Sequence, residues 1–149
     1  MTQEDKEILL KDICARLPYG VKMNHIADGE HSPKTLIGVA KDMITLEGLG
    51  GYECVDVEDY KPYLFPLSSM NEEQSIELFK LFGIDLVDSI GADYIKINEC
   101  TGITFFLDKG FDVETHLDKL VDWLNTHHFD YKGLLEKGLA IDATGLNVY

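Results

Sequence analysis

Residues 112–140 constrain the fold of this chain most, because they contain its most regular helical pattern. Apolar residues recur there at positions i, i+4, i+7, i+8 and i+11, which places them in one stripe along a helix of about three turns. The stripe consists of Val113, Leu117, Leu120, Val121 and Leu124. Asp112 is suited to cap this helix, since its carboxylate can accept hydrogen bonds from the unpaired amides of the first turn. The pattern predicts a helix that buries one face.

A second, shorter helical pattern follows a joint at residues 129–131. Residues 131–139 carry leucines at helical spacing, with Asp130 placed to cap the segment and Gly138 placed to end it. Two helices joined so closely must cross at a steep angle. The aromatic side chains that would fill the elbow are Trp123, Phe129 and Tyr131. The segment therefore predicts a packed pair of helices.

The first 58 residues predict a helix followed by strands. Thr2 and Asp5 have the spacing of a capping box, and Pro18 ends the helix because proline cannot continue its hydrogen-bond ladder. From Tyr19 to Val57, short β-branched and aliphatic runs alternate with glycine-containing turns. This pattern is typical of an antiparallel meander of about three or four strands.

Residues 59–69 predict a connector. Pro62 and Pro66 favour an extended conformation there, and the aromatic residues around them can pin the segment to the domain. Ser69 and Glu72 then have the spacing of a second capping box, which predicts a central helix. A β-hairpin is expected from residues 94–98 and 103–107.

These elements predict a single α+β domain, since 149 residues make about one domain. An antiparallel β meander and a hairpin are expected to pack with about four helices. The helix and meander occupy residues 1–58, the connector residues 59–69, and the remaining helices and hairpin residues 70–149.

The charge balance restricts the partners of such a domain. Acidic residues outnumber basic ones by 27 to 13, the net charge is −14, and the acidic residues are spread along the chain. The folded surface should therefore repel nucleic acid and anionic membranes. No apolar run reaches the ~18 residues of a membrane span. We expect no nucleic-acid and no membrane partner, whereas a protein partner, including a basic protein that binds nucleic acid, fits this charge.

The cysteines and the N-terminal residues indicate a cytoplasmic protein. Cys14, Cys54 and Cys100 are odd in number and widely spaced, which matches neither a zinc site nor a disulfide framework. The first ten residues are acidic and lack the features of a signal peptide. The sequence contains no dinucleotide-binding fingerprint, Walker motif or nucleophile elbow, so no cofactor is expected and no catalytic residue can be assigned.

One polar cluster allows a metal-dependent alternative. His127, His128 and Asp130 bring two imidazoles and a carboxylate together at the end of the predicted helix. Neutral imidazole and carboxylate are ligands for zinc, iron and manganese, so the cluster could begin the site of a metal-assisted hydrolase with a third ligand from elsewhere. Adjacent side chains on a helix diverge by about 100 degrees, however, so the histidines could instead cap the helix end.

Aromatic residues in and beside the connectors provide the candidate binding residues. Such residues dominate the binding energy of many protein interfaces when they are exposed, but they can also anchor a connector to its own domain. The candidates are Tyr63, Trp123, Phe129 and Tyr131.

Three segments also carry a family resemblance: residues 14–22, CARLPYGVK, residues 61–70, KPYLFPLSSM, and residues 122–142, DWLNTHHFDYKGLLEKGLAID. Together they resemble a family of short uncharacterised proteins of gut anaerobic bacteria and of their phages and mobile elements. The resemblance implies a genomic setting and transfers no catalytic residues. We therefore expect a non-enzymatic interaction or accessory protein, encoded by a phage or mobile element, with the metal-assisted hydrolase as the alternative.

Overall fold

The computed structural model describes residues 1–27, 32–81, 95–98, 102–105 and 117–149, and these form an α+β fold. The helices are α1 (Gln3–Arg16), α2 (Glu72–Leu81) and α3 (Leu117–Thr126). The strands are β1 (Lys22–His25), β2 (Lys34–Ala40), β3 (Met43–Gly48), β4 (Gly51–Asp56), β5 (Tyr60–Pro66), β6 (Ile95–Asn98), β7 (Gly102–Phe105), β8 (Phe129–Asp130) and β9 (Ile141–Asp142).

The N-terminal helix has the predicted boundaries. The Thr2 hydroxyl accepts from the Asp5 amide at 3.1 Å, and the Asp5 carboxylate accepts from the Thr2 amide at 3.2 Å, which completes the capping box. Pro18 follows the helix within a 3₁₀ turn at Leu17–Tyr19. Leu9 and Ile13 are buried in the main core, so α1 covers one face of the sheet.

The predicted meander is present as four antiparallel strands. β1 pairs with β2, β2 with β3, and β3 with β4. Leu36, Ile44 and Leu46 are buried on the side of α1, because side chains that lie opposite each other in the register share a face of the sheet. The meander thus provides one face of the main core.

The predicted connector is a central strand, which is a correction to the expected boundaries. β5 pairs antiparallel with β1, where Pro62 lies opposite Met23, and its second half pairs with β8 and β9. The prolines suggested a segment without ladder hydrogen bonds. β5 tolerates them because it is bonded to each neighbouring strand over only part of its length.

The segment 131–139 is a series of turns and not the expected fourth helix. Gly133 and Gly138 have φ values of 72° and 66°, in the left-handed region that a regular helix does not use. β8 and β9 flank this segment and pair parallel with β5, so the seven-stranded sheet is mixed. Three α-helices are therefore present in the described residues.

The cap of α2 differs from the prediction, and the predicted start of the helix that includes α3 lies outside the described residues. Asn71 and Gln74, and not Ser69 and Glu72, form the cap of α2, with hydrogen bonds of 2.8 and 3.0 Å. Ser69 lies in a preceding 3₁₀ turn, where its hydroxyl donates to Pro66 O. The predicted Asp112 cap and the predicted first turn of that helix, which precede Leu117, lie outside the described residues.

A second core joins α2, α3 and β8. Its buried residues are Leu78, Leu120, Trp123, Leu124 and Phe129. β6 and β7 form the expected hairpin, with Ile95 opposite Phe105 and Asn98 opposite Gly102. In the sheet order, β4 lies at one end and β8 at the other.

Candidate interaction surface

The four predicted binding aromatics do not form a surface patch. Tyr63 and Phe129 are buried, Trp123 is 6% exposed, and Tyr131 is half-buried. Trp123 stacks on Phe129 with ring centroids 5.7 Å apart. Trp123 and Phe129 belong to the second core, Tyr131 packs against it, and Tyr63 is buried within β5, so these side chains pack the domain.

The Asp130 carboxylate accepts hydrogen bonds from the backbone amides that follow it. Its Oδ1 accepts from the amides of Lys132 at 3.2 Å and Leu134 at 3.0 Å, and its Oδ2 accepts from the amide of Leu135 at 2.8 Å. These bonds hold residues 131–135 as a turn, which explains why the leucine spacing does not lead to a helix. The carboxylate acts as a structural cap for this turn.

The two histidines next to Asp130 also have structural contacts. His127 Nδ1 lies 2.9 Å from Trp123 O, and because a carbonyl can only accept, this nitrogen must donate. His128 has a φ of 58°, its ring stacks on Tyr149 at 3.9 Å, and it is 8% exposed. Burial lowers the pKa of His128 from 6.5 to about 4, and the positive charge of Arg16 adds to this effect.

The described residues contain no group of three His, Cys, Asp or Glu side chains arranged to hold a metal ion. His127, His128 and Asp130 are close in the chain, but His127 Nδ1 and both Asp130 oxygens are used in separate hydrogen bonds. The His128 ring stacks on Tyr149, and its buried Nδ1 has no hydrogen-bond partner in the described residues. The hydrolase alternative therefore has no geometric support in this part of the chain.

A buried polar network that the sequence analysis missed joins α1 to β8. Arg16 Nε lies 2.7 Å from Asp12 Oδ2, and Arg16 Nη2 donates to Phe129 O at 2.8 Å. The guanidinium also lies over the ring of Tyr131, and Lys132 Nζ is 3.6 Å from Asp12 Oδ1. The spacing of Asp12 and Arg16, four residues apart on a helix, is the signal that could have revealed it. The network links α1 to β8 through buried side chains, so its role is structural and it offers no binding surface.

One surface feature with open hydrogen-bonding groups is β4, an end strand of the large sheet in the described part of the chain. Its pairing with β3 is regular from the Gly48–Gly51 pair to the Met43–Asp56 pair, without a bulge. Its sequence, GYECVD, contains no proline or lysine. Many proteins protect an edge strand with a bulge, proline or lysine, so β4 lacks three common forms of protection.

The register determines which backbone groups of β4 face outward. The Val57 amide donates to Asp42 O at 2.9 Å, which makes this a hydrogen-bonded pair. Bonded and non-bonded pairs alternate along antiparallel strands, so the neighbouring Met43–Asp56 pair is non-bonded. The residues whose N–H and C=O groups point away from β3 are Tyr52, Cys54 and Asp56. β4 thus presents a continuous template for another strand.

Exposed apolar side chains accompany this edge. Tyr52 is 73% exposed, Met43 is 38% exposed, and Ile37, at an irregularity in β2, is 42% exposed. Leu49 projects fully into solvent at the tip of the β3–β4 hairpin. Tyr52 and Met43 lie on the face of the sheet opposite to α1, because their cross-strand partners Glu47 and Asp56 alternate with the buried positions. Apolar side chains of this kind indicate a contact surface when they are grouped.

A polar contact on the other face links β4 to β2 and β5. Lys34 Nζ lies 2.5 Å from Glu53 Oε1, and the Tyr60 hydroxyl donates to the same oxygen at 3.0 Å. The contact with Lys34 lowers the pKa of Glu53 and raises that of Lys34. Three strands, β2, β4 and β5, are therefore linked through Glu53, and its charge is neutralised.

A second charged group lies where β4 ends. Lys6 Nζ is 2.9 Å from Glu58, 3.5 Å from Asp42 and 3.9 Å from Asp56, so one ammonium group forms ion pairs with three carboxylates. Its hydrogen bond to Glu58 raises the pKa of Lys6. This end of the edge keeps an excess of negative charge.

Comparison with known proteins gives no relative to guide the assignment: the chain matches no family model, no curated protein and no solved structure. Among the described helices, none combines the length and the apolar character that crossing a bilayer requires. The geometry of β4 is therefore the basis for the functional conclusion.

Proposed function

We propose that this protein is a binding module that receives an extended segment of a partner protein as an additional strand on β4. The observation that carries this proposal is the outward orientation of the backbone groups of Tyr52, Cys54 and Asp56 on a regular edge. A peptide that pairs with these groups gains main-chain hydrogen bonds, and its alternate side chains meet the two faces of the sheet. This is a non-enzymatic interaction function.

Two further observations support strand addition. Tyr52 offers a large exposed aromatic surface beside the edge, and aromatic side chains contribute strongly to binding when a partner covers them. The Lys34–Glu53–Tyr60 contact holds the strand in place before binding, which reduces the entropy lost on association. We also propose a cytoplasmic location, since Cys14 and Cys54 are free thiols.

The test uses a panel of synthetic peptides with valine at alternate positions and lysine, threonine or glutamate between them. Binding is measured by fluorescence anisotropy, and protection of the Tyr52 and Cys54 amides is measured by hydrogen exchange. We expect at least one peptide to bind and to protect both amides. If no peptide binds, or if binding leaves these amides unprotected, strand addition to β4 is ruled out.

Cys54→Pro and Cys54→Ala form a matched pair for this test. Proline removes the outward amide without breaking a bond to β3, whereas alanine removes only the thiol. We expect Cys54→Pro to lose peptide binding and Cys54→Ala to keep it. Equal binding by both variants would contradict the proposal.

Two controls keep this result interpretable. A peptide N-methylated at the residues opposite Tyr52, Cys54 and Asp56 has no N–H groups to donate to β4, so it should fail to bind the unmodified protein even if Cys54→Pro does not fold. Analytical ultracentrifugation then tests for a second copy of the chain as the occupant. A dimer that Cys54→Pro abolishes would replace the partner segment by a second copy and would overturn the assignment to a partner protein.

A further inference from the structure

We infer that the segment received by β4 is basic and enters antiparallel, with a lysine or arginine opposite Asp56 and an apolar residue four positions later opposite Tyr52. This inference rests on the proposed function and specifies its ligand. Antiparallel pairing is slightly more stable per residue than parallel pairing. Residues directly opposite each other share a face, so the side chains that meet Tyr52 and Cys54 lie on the face opposite to α1. The Asp56 carboxylate lies at the end of the strand, where it accepts from the Glu58 amide at 2.9 Å and is 3.9 Å from Lys6 Nζ.

The charge around the edge selects a basic segment. Lys34 is paired with Glu53, and the ammonium group of Lys6 lies within 4.0 Å of the carboxylates of Asp42, Asp56 and Glu58. A further carboxylate, that of Glu47, belongs to the residue opposite Tyr52, so negative charge exceeds positive charge along this edge. Opposite charges that face each other across a strand pair stabilise the pairing, and like charges destabilise it. An acidic segment would therefore be rejected.

The two ends of the edge differ, which determines the direction of the segment. Asp56 lies beside Asp42 and Glu58 around Lys6, so its end of β4 is acidic. At the other end, Tyr52 lies next to the hairpin tip that carries Leu49, and both side chains are largely exposed. An antiparallel segment that begins with its basic residue places that residue at the acidic end and its apolar residue at the apolar end. Reversing the order of residues mismatches both contacts.

The experiment compares two peptides of identical composition. One has the order lysine, x, threonine, x, valine, and the other has the reverse order, within the same neutral flanking residues. We expect the first to bind more tightly by about five-fold, because reversing the order removes both matched cross-strand contacts. Replacing its lysine by glutamate should weaken binding by at least about ten-fold, because like charges then face each other.

Variants of the protein test whether the preference for a lysine peptide arises from the charge at the β4 edge. Asp56→Asn keeps a side-chain oxygen but removes the charge. It should weaken binding of the lysine peptide about three- to five-fold and leave the affinity for a threonine peptide unchanged. Glu73→Gln on α2, which packs at the β8 end of the sheet, is the matched control and should change neither affinity. Raising NaCl from about 0.05 M to about 0.5 M should weaken only the lysine peptide.

The outcomes separate this inference from the proposed function. If lysine, threonine and glutamate peptides bind equally and all protect the Cys54 amide, strand addition stands and charge selection is overturned. If the forward and reverse peptides bind equally, the assigned direction is overturned. If no peptide protects the β4 amides, both conclusions fall together.

Discussion

Arg16 and Asp12 form an ion pair from which water is fully excluded: both side chains have zero exposure, and Nε lies 2.7 Å from Oδ2. The same guanidinium donates to Phe129 O, so one side chain on α1 joins an acidic residue of its own helix to β8. The stability of the domain therefore depends on two side chains, those of Asp12 and Arg16, that were not among the candidate functional residues.

Removing one partner of this pair should destabilise the protein strongly. In Asp12→Asn the buried guanidinium loses its closest negative charge, and we expect the free energy of unfolding to fall by about 3–5 kcal/mol, measured by urea denaturation. Lys11→Ala, an exposed change on the same helix, should cost less than about 0.5 kcal/mol. The double variant Asp12→Leu/Arg16→Met should cost less than Asp12→Asn, because no charge remains buried there. A loss below about 1 kcal/mol for Asp12→Asn would show that the pair contributes little.

The Tyr149 hydroxyl substitutes for a backbone bond between β1 and β5. Their register would next bring Lys22 opposite Tyr63, and the hydroxyl donates to Tyr63 O at 2.6 Å while accepting from the Lys22 amide at 3.3 Å. Tyr149→Phe should therefore lower the free energy of unfolding by about 1–3 kcal/mol, because two backbone groups lose their partner. Tyr52→Phe removes an exposed hydroxyl and should change stability by less than about 0.5 kcal/mol. Equal effects of the two variants would exclude the bridging role.

His128 should make the protein less stable as the pH falls from about 6.5 to about 4. Its folded pKa of about 4 lies below its ordinary value of 6.5, so the unfolded chain binds a proton that the folded protein does not. Between pH 7 and pH 5 this difference should remove about 2 kcal/mol from the free energy of unfolding. His128→Asn suits the positive φ and removes the imidazole, so its stability should decrease less over the same range. An unchanged decrease would assign the effect to other groups.

Asp130→Ala should destabilise the segment 131–135. The carboxylate accepts three backbone amides there, and we expect a loss of about 2–3 kcal/mol, measured by urea denaturation. Glu136→Ala, an exposed carboxylate in the same segment, is the control and should cost less than about 0.5 kcal/mol.

The same variant tests the metal-dependent alternative. A metal that binds the folded protein raises its thermal midpoint by several degrees at concentrations of about 100 times its Kd. We expect zinc and EDTA to leave the midpoint of the unmodified protein unchanged. A zinc-dependent increase that Asp130→Ala and His128→Asn both abolish would restore the hydrolase hypothesis.

Parts of the fold follow from signals that neighbouring residues carry. The Thr2–Asp5 capping box and Pro18 bound α1, and glycine-containing turns separate the strands of the meander. Both are local effects, since a cap or a turn is formed by residues a few positions apart. For the same reason the β6–β7 hairpin was predicted close to its observed position.

Other parts depend on partners that are distant in the chain. The leucines of residues 131–139 favoured a helix, but Asp130 binds the amides that a helix would need, and Gly133 adopts a positive φ. β8 and β9 are two residues long, too short to show a periodic pattern, and they are strands only because β5 pairs with them. The prolines of β5 favoured a connector over a strand, because the strands that pair with β5 are distant in the chain and could not be identified from the sequence.

The sequence by itself determined the fold class, the capped N-terminal helix, the meander and the net charge of −14, since each depends on composition or on residues close together in the chain. Only the tertiary structure decided that Trp123 and Phe129 lie in a core and that Tyr52 lies on an open edge. Aromatic residues have the same chemistry in both places. Their burial is determined by the order of strands in the sheet, which depends on pairing between distant segments.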